Sequence, residues 1–182
     1  MADIDHKIDI TGMAQPDDST CWLAAYKMLL KKAGKPYGDD DIRAKFKTFN
    51  LNFDDAKVNG LDGKDWVIAA FALGFTAMPS QLFKSDSGFL DRLVGKTSGQ
   101  RAFLTLLTAG PLWIGRFVGV GKSHAIVARG YDSSDDKVVW VNPQSKVGKD
   151  AIDNQRSRLE NFIGLIASPM GGVQFNGAGK TP

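Results

Sequence analysis

The sequence has only one cysteine, Cys21, and only two histidines, His6 and His124. A single cysteine excludes an internal disulfide and any zinc site built from several cysteines. The two histidines lie far apart in the chain and the carboxylates are scattered, so no metal-ligand spacing is present. We therefore expect no metal and no cofactor, and the lone thiol is typical of a reducing compartment.

Long apolar runs are also missing. The longest uncharged apolar stretch, VIAAFALGF at 67–75, is far shorter than the roughly 20 residues needed to span a bilayer. The acidic start, MADIDHKIDI, has no apolar core of signal-peptide length. These absences predict a soluble protein that does not bind membranes and is cytoplasmic in the producing cell. If it is exported, we expect a specialised secretion system and no Sec signal.

Strong charge of one sign is absent as well. The formal net charge is +3, and the basic residues are interspersed with aspartates, which does not indicate a nucleic-acid-binding surface. The 182 residues, 43% of them hydrophobic, suit one domain with one core. We expect a monomer with a single domain over 1–168, whose first 14 residues form an extended arm. A flexible glycine-rich tail over 169–182 is expected to follow.

Helical periodicity begins immediately after the cysteine. Apolar side chains recur with helical spacing in the segment CWLAAYKMLL, with Ser19 or Thr20 as the N-cap and Gly34 as the stop. Further helices are predicted over 39–46, 65–73, 87–94 and 98–108. The chain then changes character, and β-branched and aromatic residues predict strands over 111–118, 123–132 and 136–143. With a last helix over 159–166, capped by Ser157, this order predicts an α+β fold.

The second and third predicted strands bring two polar residues together. If they form a hairpin that turns at 132–136, then His124 and Asn142 lie at the same end of the sheet. A thiol attacks well only as the thiolate, and a helix N-terminus and an imidazolium both favour that form. A polar third residue orients the imidazole, and an amide such as Gln15 is suited to stabilise an oxyanion.

Three features of the sequence compete with this interpretation. Asp132 is the rival of Asn142, but the hairpin turn would hold it away from His124. Asp17 and Asp18 oppose thiolate formation if their charges face Cys21. The segment GRFVGVGKS at 115–123 approximates a P-loop, but its spacing is one residue too long and a strand follows it, so we exclude nucleotide binding.

Gln15, Cys21-Trp22, His124 and Asn142-Pro143 together resemble the papain-like cysteine peptidases. The six-residue spacing from Gln15 to Cys21 and the chain order match that family. The pattern SHAIVARGYD followed by VWVNP is most similar to compact bacterial members, the double-glycine peptidases of bacteriocin exporters and the papain-like effectors. The signature lacks the family's Cys-Gly before the nucleophile.

The resemblance implies a papain-like α+β fold in which the nucleophile helix packs on the C-terminal antiparallel sheet. It implies Cys21 as nucleophile, His124 as base, Asn142 as its orienting partner and Gln15 as oxyanion donor. Gly121 and Ser123 beside His124, with Trp22, are candidate substrate contacts, although helical periodicity favours the core for Trp22. His6 is expected on the surface of the arm.

The resemblance leaves the substrate and even the reaction open. A protein substrate with small residues at the cut, and an effector or toxin role with a cognate immunity protein as partner, are the first hypothesis. Deamidation or transglutamination of glutamine by the same Cys–His pair is the second. A catalytically inactive binding module on the same scaffold is the third.

Overall fold

The first helix begins at the only cysteine. In the computed structural model, which describes residues 6–83, 95–119, 122–143, 152–164, 166 and 170–175, helix α1 spans Cys21–Lys32. Its predicted apolar stripe is fully buried. The helix ends in a Schellman motif, in which Gly34 has φ 73° and the N–H of Lys35 donates to Leu30 O at 2.8 Å.

The other helices precede and follow the sheet-forming segments. The predicted helices over 39–46, 65–73 and 98–108 are confirmed with small boundary changes. A helix over Phe53–Asn59 was not predicted, and 87–94 lies outside the described residues. In chain order they are α2 (Asp39–Thr48), α3 (Phe53–Asn59), α4 (Gly63–Ala72), α5 (Ser98–Ala109) and α6 (Leu159–Gly164). Ser157 does not cap α6, because it belongs to a strand, where its Oγ accepts a hydrogen bond from Trp140 Nε1 at 3.1 Å.

In the described residues, an antiparallel sheet of seven strands forms the other half of the fold. Its main order is β2-β7-β3-β4-β5-β6, and β1 pairs with β4 beyond the end of β3. The three predicted strands are confirmed as β3, β4 and β5. The strands are β1 (His6–Lys7), β2 (Phe75–Pro79), β3 (Leu112–Gly119), β4 (Lys122–Asp132), β5 (Lys137–Asn142), β6 (Ile152–Arg158) and β7 (Met170–Phe175).

Helices cover both faces of this sheet. Trp113, Ala125 and Val127 belong to one core cluster with α1 and α4. Their neighbours along the same strands belong to a second cluster with α5 and α6, which contains Leu112, Ile114, Ile126 and Ala128. The central strands are therefore buried on both sides, which explains why they read as continuous apolar runs without polar alternation.

The expected tail contains a strand. β7 lies between β2 and β3, where Gln174 pairs with Thr76 and Val173 pairs with both Ala77 and Trp113. The prediction that the domain ends at 168 and that a flexible tail follows is therefore wrong for residues 170–175. The error arises because a strand with two consecutive glycines has little intrinsic β-propensity and forms through its two neighbours.

The N-terminal arm crosses the ends of the central strands. Residues 9–13 of the arm form no strand, whereas β1 pairs at Tyr131 and Gly130 and the N–H of Ile8 donates to Arg129 O at 2.6 Å. Farther along, the N–H of Gln15 donates to Pro143 O at 2.8 Å. The arm therefore leads from β4 to the end of β5 and delivers Gln15 there.

Candidate active site

The thiol of Cys21 lies where α1 meets the sheet. Cys21 is the first residue of the helix, partly buried, and the backbone N–H of Ala125 approaches its Sγ at 3.5 Å. Ala125 directly follows His124 in β4. A contact between residues 104 positions apart in sequence thus brings the thiol to the histidine's strand.

His124 and Asn142 are joined by a side-chain hydrogen bond. Their strands pair as a hairpin, with Val127 opposite Val141, and His124 Nε2 lies 2.7 Å from Asn142 Oδ1. An amide oxygen only accepts, so Nε2 carries the proton in this pair, and the neutral ring then has its acceptor at Nδ1. Asp132, the rival candidate, lies at the opposite end of β4 and accepts hydrogen bonds from Ser134 and Arg156.

Gln15 is buried beside the same strand end, 3% exposed. Its backbone is bonded to Pro143, the residue after Asn142, and its side-chain Nε2 donates to Asp17 O at 2.6 Å. The side chain is thus held in the short loop that leads into α1. The structure places Gln15, Cys21, His124 and Asn142 around one junction of loop, helix and sheet.

Asp17 organises the loop before the cysteine. Its carboxylate accepts hydrogen bonds from the N–H and the hydroxyl of Ser19, at 3.1 and 2.6 Å, and its backbone carbonyl accepts from the Thr20 hydroxyl at 3.1 Å. Burial opposes ionisation of Asp17, but the hydrogen bonds from Ser19 and Thr20 outweigh it and lower the pKa of the carboxyl. Asp18 is exposed. Asp17, which the sequence presented as a complication, is therefore an anion that is held by Ser19 and helps to shape the loop before Cys21.

Burial is the largest influence on the thiol itself. It raises the pKa of Cys21, and a smaller electrostatic contribution from Asp17 acts in the same direction. Backbone N–H groups of Ala125, Trp22 and Cys21 favour the thiolate but do not outweigh burial. The geometry therefore holds a protonated thiol at rest, next to amide donors that would stabilise negative charge.

Comparison with known families agrees with this geometry. Residues 4–160 match the family described as papain-like cysteine protease AvrRpt2. The chain belongs to this papain-like cysteine protease family. It is accordingly a cysteine peptidase, and the match covers all four residues of the junction.

The fold of this protease is also found among solved structures. The peptidase domain of Streptococcus ComA, a bi-functional ABC transporter involved in a quorum-sensing pathway, has a TM-score of 0.53 and 17% sequence identity to it. The match covers 94% of this chain and 99% of that domain. Among curated proteins, none matches the sequence. The likeness to ComA shows the papain-like α+β fold that the motifs implied.

Trp22 is not a substrate contact in the protease. Its side chain is 1% exposed, its ring stacks on Phe46 at 5.6 Å, and its indole N–H donates to Ala56 O at 3.1 Å.

Ser123 lies in β4 opposite Phe117, and Gly121 lies outside the described residues. In the segment that approximates a P-loop, the described residues 115–119 and 122–123 belong to strands β3 and β4 and not to the start of a helix.

Two further properties concern the described part of the protease. There, no three His, Cys, Asp or Glu side chains group closely enough to share a metal ion. No helix in the same residues has the length and apolar character to cross a membrane.

Proposed function

We propose that this protease hydrolyses peptide bonds of a protein substrate through Cys21, His124, Asn142 and Gln15. The contact of the Ala125 N–H with Cys21 Sγ carries the proposal, because it brings the thiol to the strand of the histidine that Asn142 holds. The raised pKa of Cys21 favours general-base catalysis by His124 over a preformed thiolate.

The first half-reaction forms an acyl-enzyme. His124 Nδ1 takes the proton from the thiol as Sγ attacks the carbonyl carbon, and the carbonyl π electrons move to oxygen. The backbone N–H of Cys21 and one N–H of the Gln15 amide stabilise that oxyanion, while the other amide hydrogen remains on Asp17 O. Collapse of the tetrahedral intermediate breaks the C–N bond, and the leaving amine takes the proton from His124.

The second half-reaction restores the enzyme. His124 accepts a proton from water as the water oxygen attacks the thioester carbon, and the Cys21 sulfur leaves and regains that proton. Asn142 accepts from Nε2–H in both halves and stabilises the imidazolium that forms each time.

Substitution of Cys21 tests the assignment. Cys21→Ala is expected to abolish the new protein N-termini that appear when wild type is incubated with a bacterial lysate, because the bond-forming atom is gone. Terminal mapping by mass spectrometry measures this outcome. Asp135→Asn, at the exposed turn of the β4–β5 hairpin, is the control and should cleave like wild type.

The products also separate hydrolysis from glutamine chemistry. Proteolysis gives two fragments, whereas deamidation leaves an intact target that is heavier by about one dalton. The Asn142 partner of His124 favours proteolysis, since the glutamine-modifying enzymes weighed above usually have an aspartate there. A target that is modified but uncut, with dependence on Cys21, would overturn the peptidase proposal.

We further infer an effector or toxin role with cleavage after small, Gly-Gly-like residues. Its support is the resemblance of SHAIVARGYD and VWVNP to double-glycine peptidases and bacterial effectors. Expression of wild type in a bacterial host should arrest growth, Cys21→Ala should not, and a protein encoded nearby should relieve the arrest. Harmless expression of a demonstrably active protease would contradict this role.

A further inference from the structure

A groove of about 370 Å³ lies near the loop that precedes Cys21, outside the four-residue junction described above. It is formed by the segment after α2, helix α3 and the start of α4, and Ala56, Gly60 and Leu61 are among its lining residues. The same part of α3 contacts the loop before Cys21: the Ser19 hydroxyl donates to Lys57 O at 2.7 Å. The loop that leads into Cys21 is therefore hydrogen-bonded to a helix that forms one wall of the groove.

Large apolar side chains line the groove and remain open to solvent. Phe49 is 46% exposed and Ile68 is 37% exposed, and the half-buried Leu51 and Leu61 also line the groove. Single exposed apolar residues are common, but several that converge on one concavity indicate a binding surface.

The groove is acidic although the chain as a whole is basic. Asp55, Asp62 and Asp65 line it, and its described lining residues include no lysine or arginine, in a protein of formal net charge +3. Asp55 accepts a hydrogen bond from Asn59, and Asp62 lies 3.9 Å from Lys64 with both side chains largely exposed. Asp65 is half-buried, and its carboxylate has no ion-pair or hydrogen-bond partner in the part of the chain that the structure describes.

We propose that this groove binds a segment of the protein substrate in which a lysine or arginine adjoins a large apolar residue. The proposal rests on the peptidase function and names the sequence that the enzyme selects beyond the scissile bond. The aliphatic stem of the basic residue packs on Phe49 and Leu61 while its charged end meets Asp65. The neighbouring apolar side chain of the substrate covers Ile68. Electrostatic complementarity of this kind supplies specificity more than affinity.

Cleavage-site profiling tests the substrate preference. Wild type digesting a library of proteome-derived peptides should enrich lysine or arginine next to an apolar residue, at a fixed offset from the cut. Asp65→Lys should lower kcat/KM on such peptides about ten-fold, since like charges then face each other. Asp65→Asn should give a smaller loss with the same sign. Asp135→Lys, which reverses an aspartate at the β4–β5 turn, should leave the profile unchanged.

A binding measurement separates this proposal from the peptidase function. Cys21→Ala protein is titrated with fluorescent peptides that carry Lys-Leu, Glu-Leu or Lys-Ser at the selected offset, or at every offset if no cleavage is seen. If Cys21→Ala prefers the Lys-Leu peptide and the double variant Cys21→Ala/Asp65→Lys does not, the result supports binding of the substrate in the groove. This conclusion holds even if the wild-type protein cuts none of the peptides. Cleavage without a basic preference, or equal binding of all three peptides, overturns the groove proposal and leaves the peptidase proposal intact.

Discussion

At Cys21, burial and backbone amides act in opposite directions on one sulfur atom. Burial dominates and raises the pKa of the thiol, so the resting enzyme holds a proton there that the unfolded chain loses at lower pH. Because the pKa is higher in the folded state, the Cys21 thiol contributes to the free energy of unfolding below the ordinary thiol pKa. That contribution is lost as pH rises through the raised pKa. We expect alkylation of Cys21 by iodoacetamide to be slow at pH 7 and to accelerate only in the alkaline range.

Cys21 is the only cysteine, so the alkylation rate reports on this thiol alone. Tyr37→Phe, a change at a site away from the junction, is the control and should give the same profile. A rate that is already high and flat from pH 5 upward would show a preformed thiolate–imidazolium pair instead of a general-base mechanism.

At the scale of elements, the N-terminal arm holds Gln15 at the end of β5. Arg129, 5% exposed in β4, clamps the arm: its Nη1 donates to Ile10 O at 2.8 Å and its Nη2 donates to Asn154 Oδ1 at 2.5 Å. β4 is irregular at this point, because its register with β5 shifts between Ala128 and Gly130. Strand β4 thus carries His124 near its start and Arg129, which holds the N-terminal arm, nearer its end.

Arg129→Met tests this coupling. Loss of the hydrogen bond to Ile10 is expected to lower kcat about ten-fold, because the arm no longer fixes Gln15, the proposed oxyanion donor; removal of an oxyanion donor itself typically costs about 100-fold or more. In a Gln15→Ala background, Arg129→Met should change kcat little further, since its effect acts through Gln15. The alkylation rate of Cys21, which needs no oxyanion donor, should stay unchanged. Additive losses in kcat would assign Arg129 a purely structural role.

Elements with a strong local pattern were predictable and elements that depend on their neighbours were not. The stripe of α1 and the hairpin of β4 and β5 follow from periodicity and turn position, and they carry Cys21, His124 and Asn142. β6 was missed because it is an edge strand whose sequence, IDNQRSR, is polar on both faces. The roles of Asp17 and of the arm depend on hydrogen bonds between distant backbone groups, which no local pattern reveals.

At the scale of the whole molecule, the sheet contributes residues to two hydrophobic cores, one on each face. In the first core the ring of Tyr26 stacks on Trp113 at 5.3 Å, and Trp66 meets Trp113 edge to face with ring centres 4.9 Å apart, while Phe103 and Phe162 belong to the second. Both cores share the strands that hold the junction around Cys21. The geometry of the site therefore depends on strands far from it in sequence, including the C-terminal one.

β7 makes that dependence testable, because it is the last described strand and joins β2 to β3. A chain that ends at residue 168 lacks β7, so β3 loses the partner on one of its edges, and β2 loses the one strand with which it pairs among the described residues. We expect this chain to be unfolded or to lose several kcal/mol of unfolding free energy, on the order of a small domain's total stability, and to have no peptidase activity. A chain that ends at residue 175 retains β7 and is the matched control, expected to unfold cooperatively in urea and to cleave like the full chain. Wild-type stability and activity in the 168-residue chain would show that β7 is dispensable and that the first 168 residues form the complete domain.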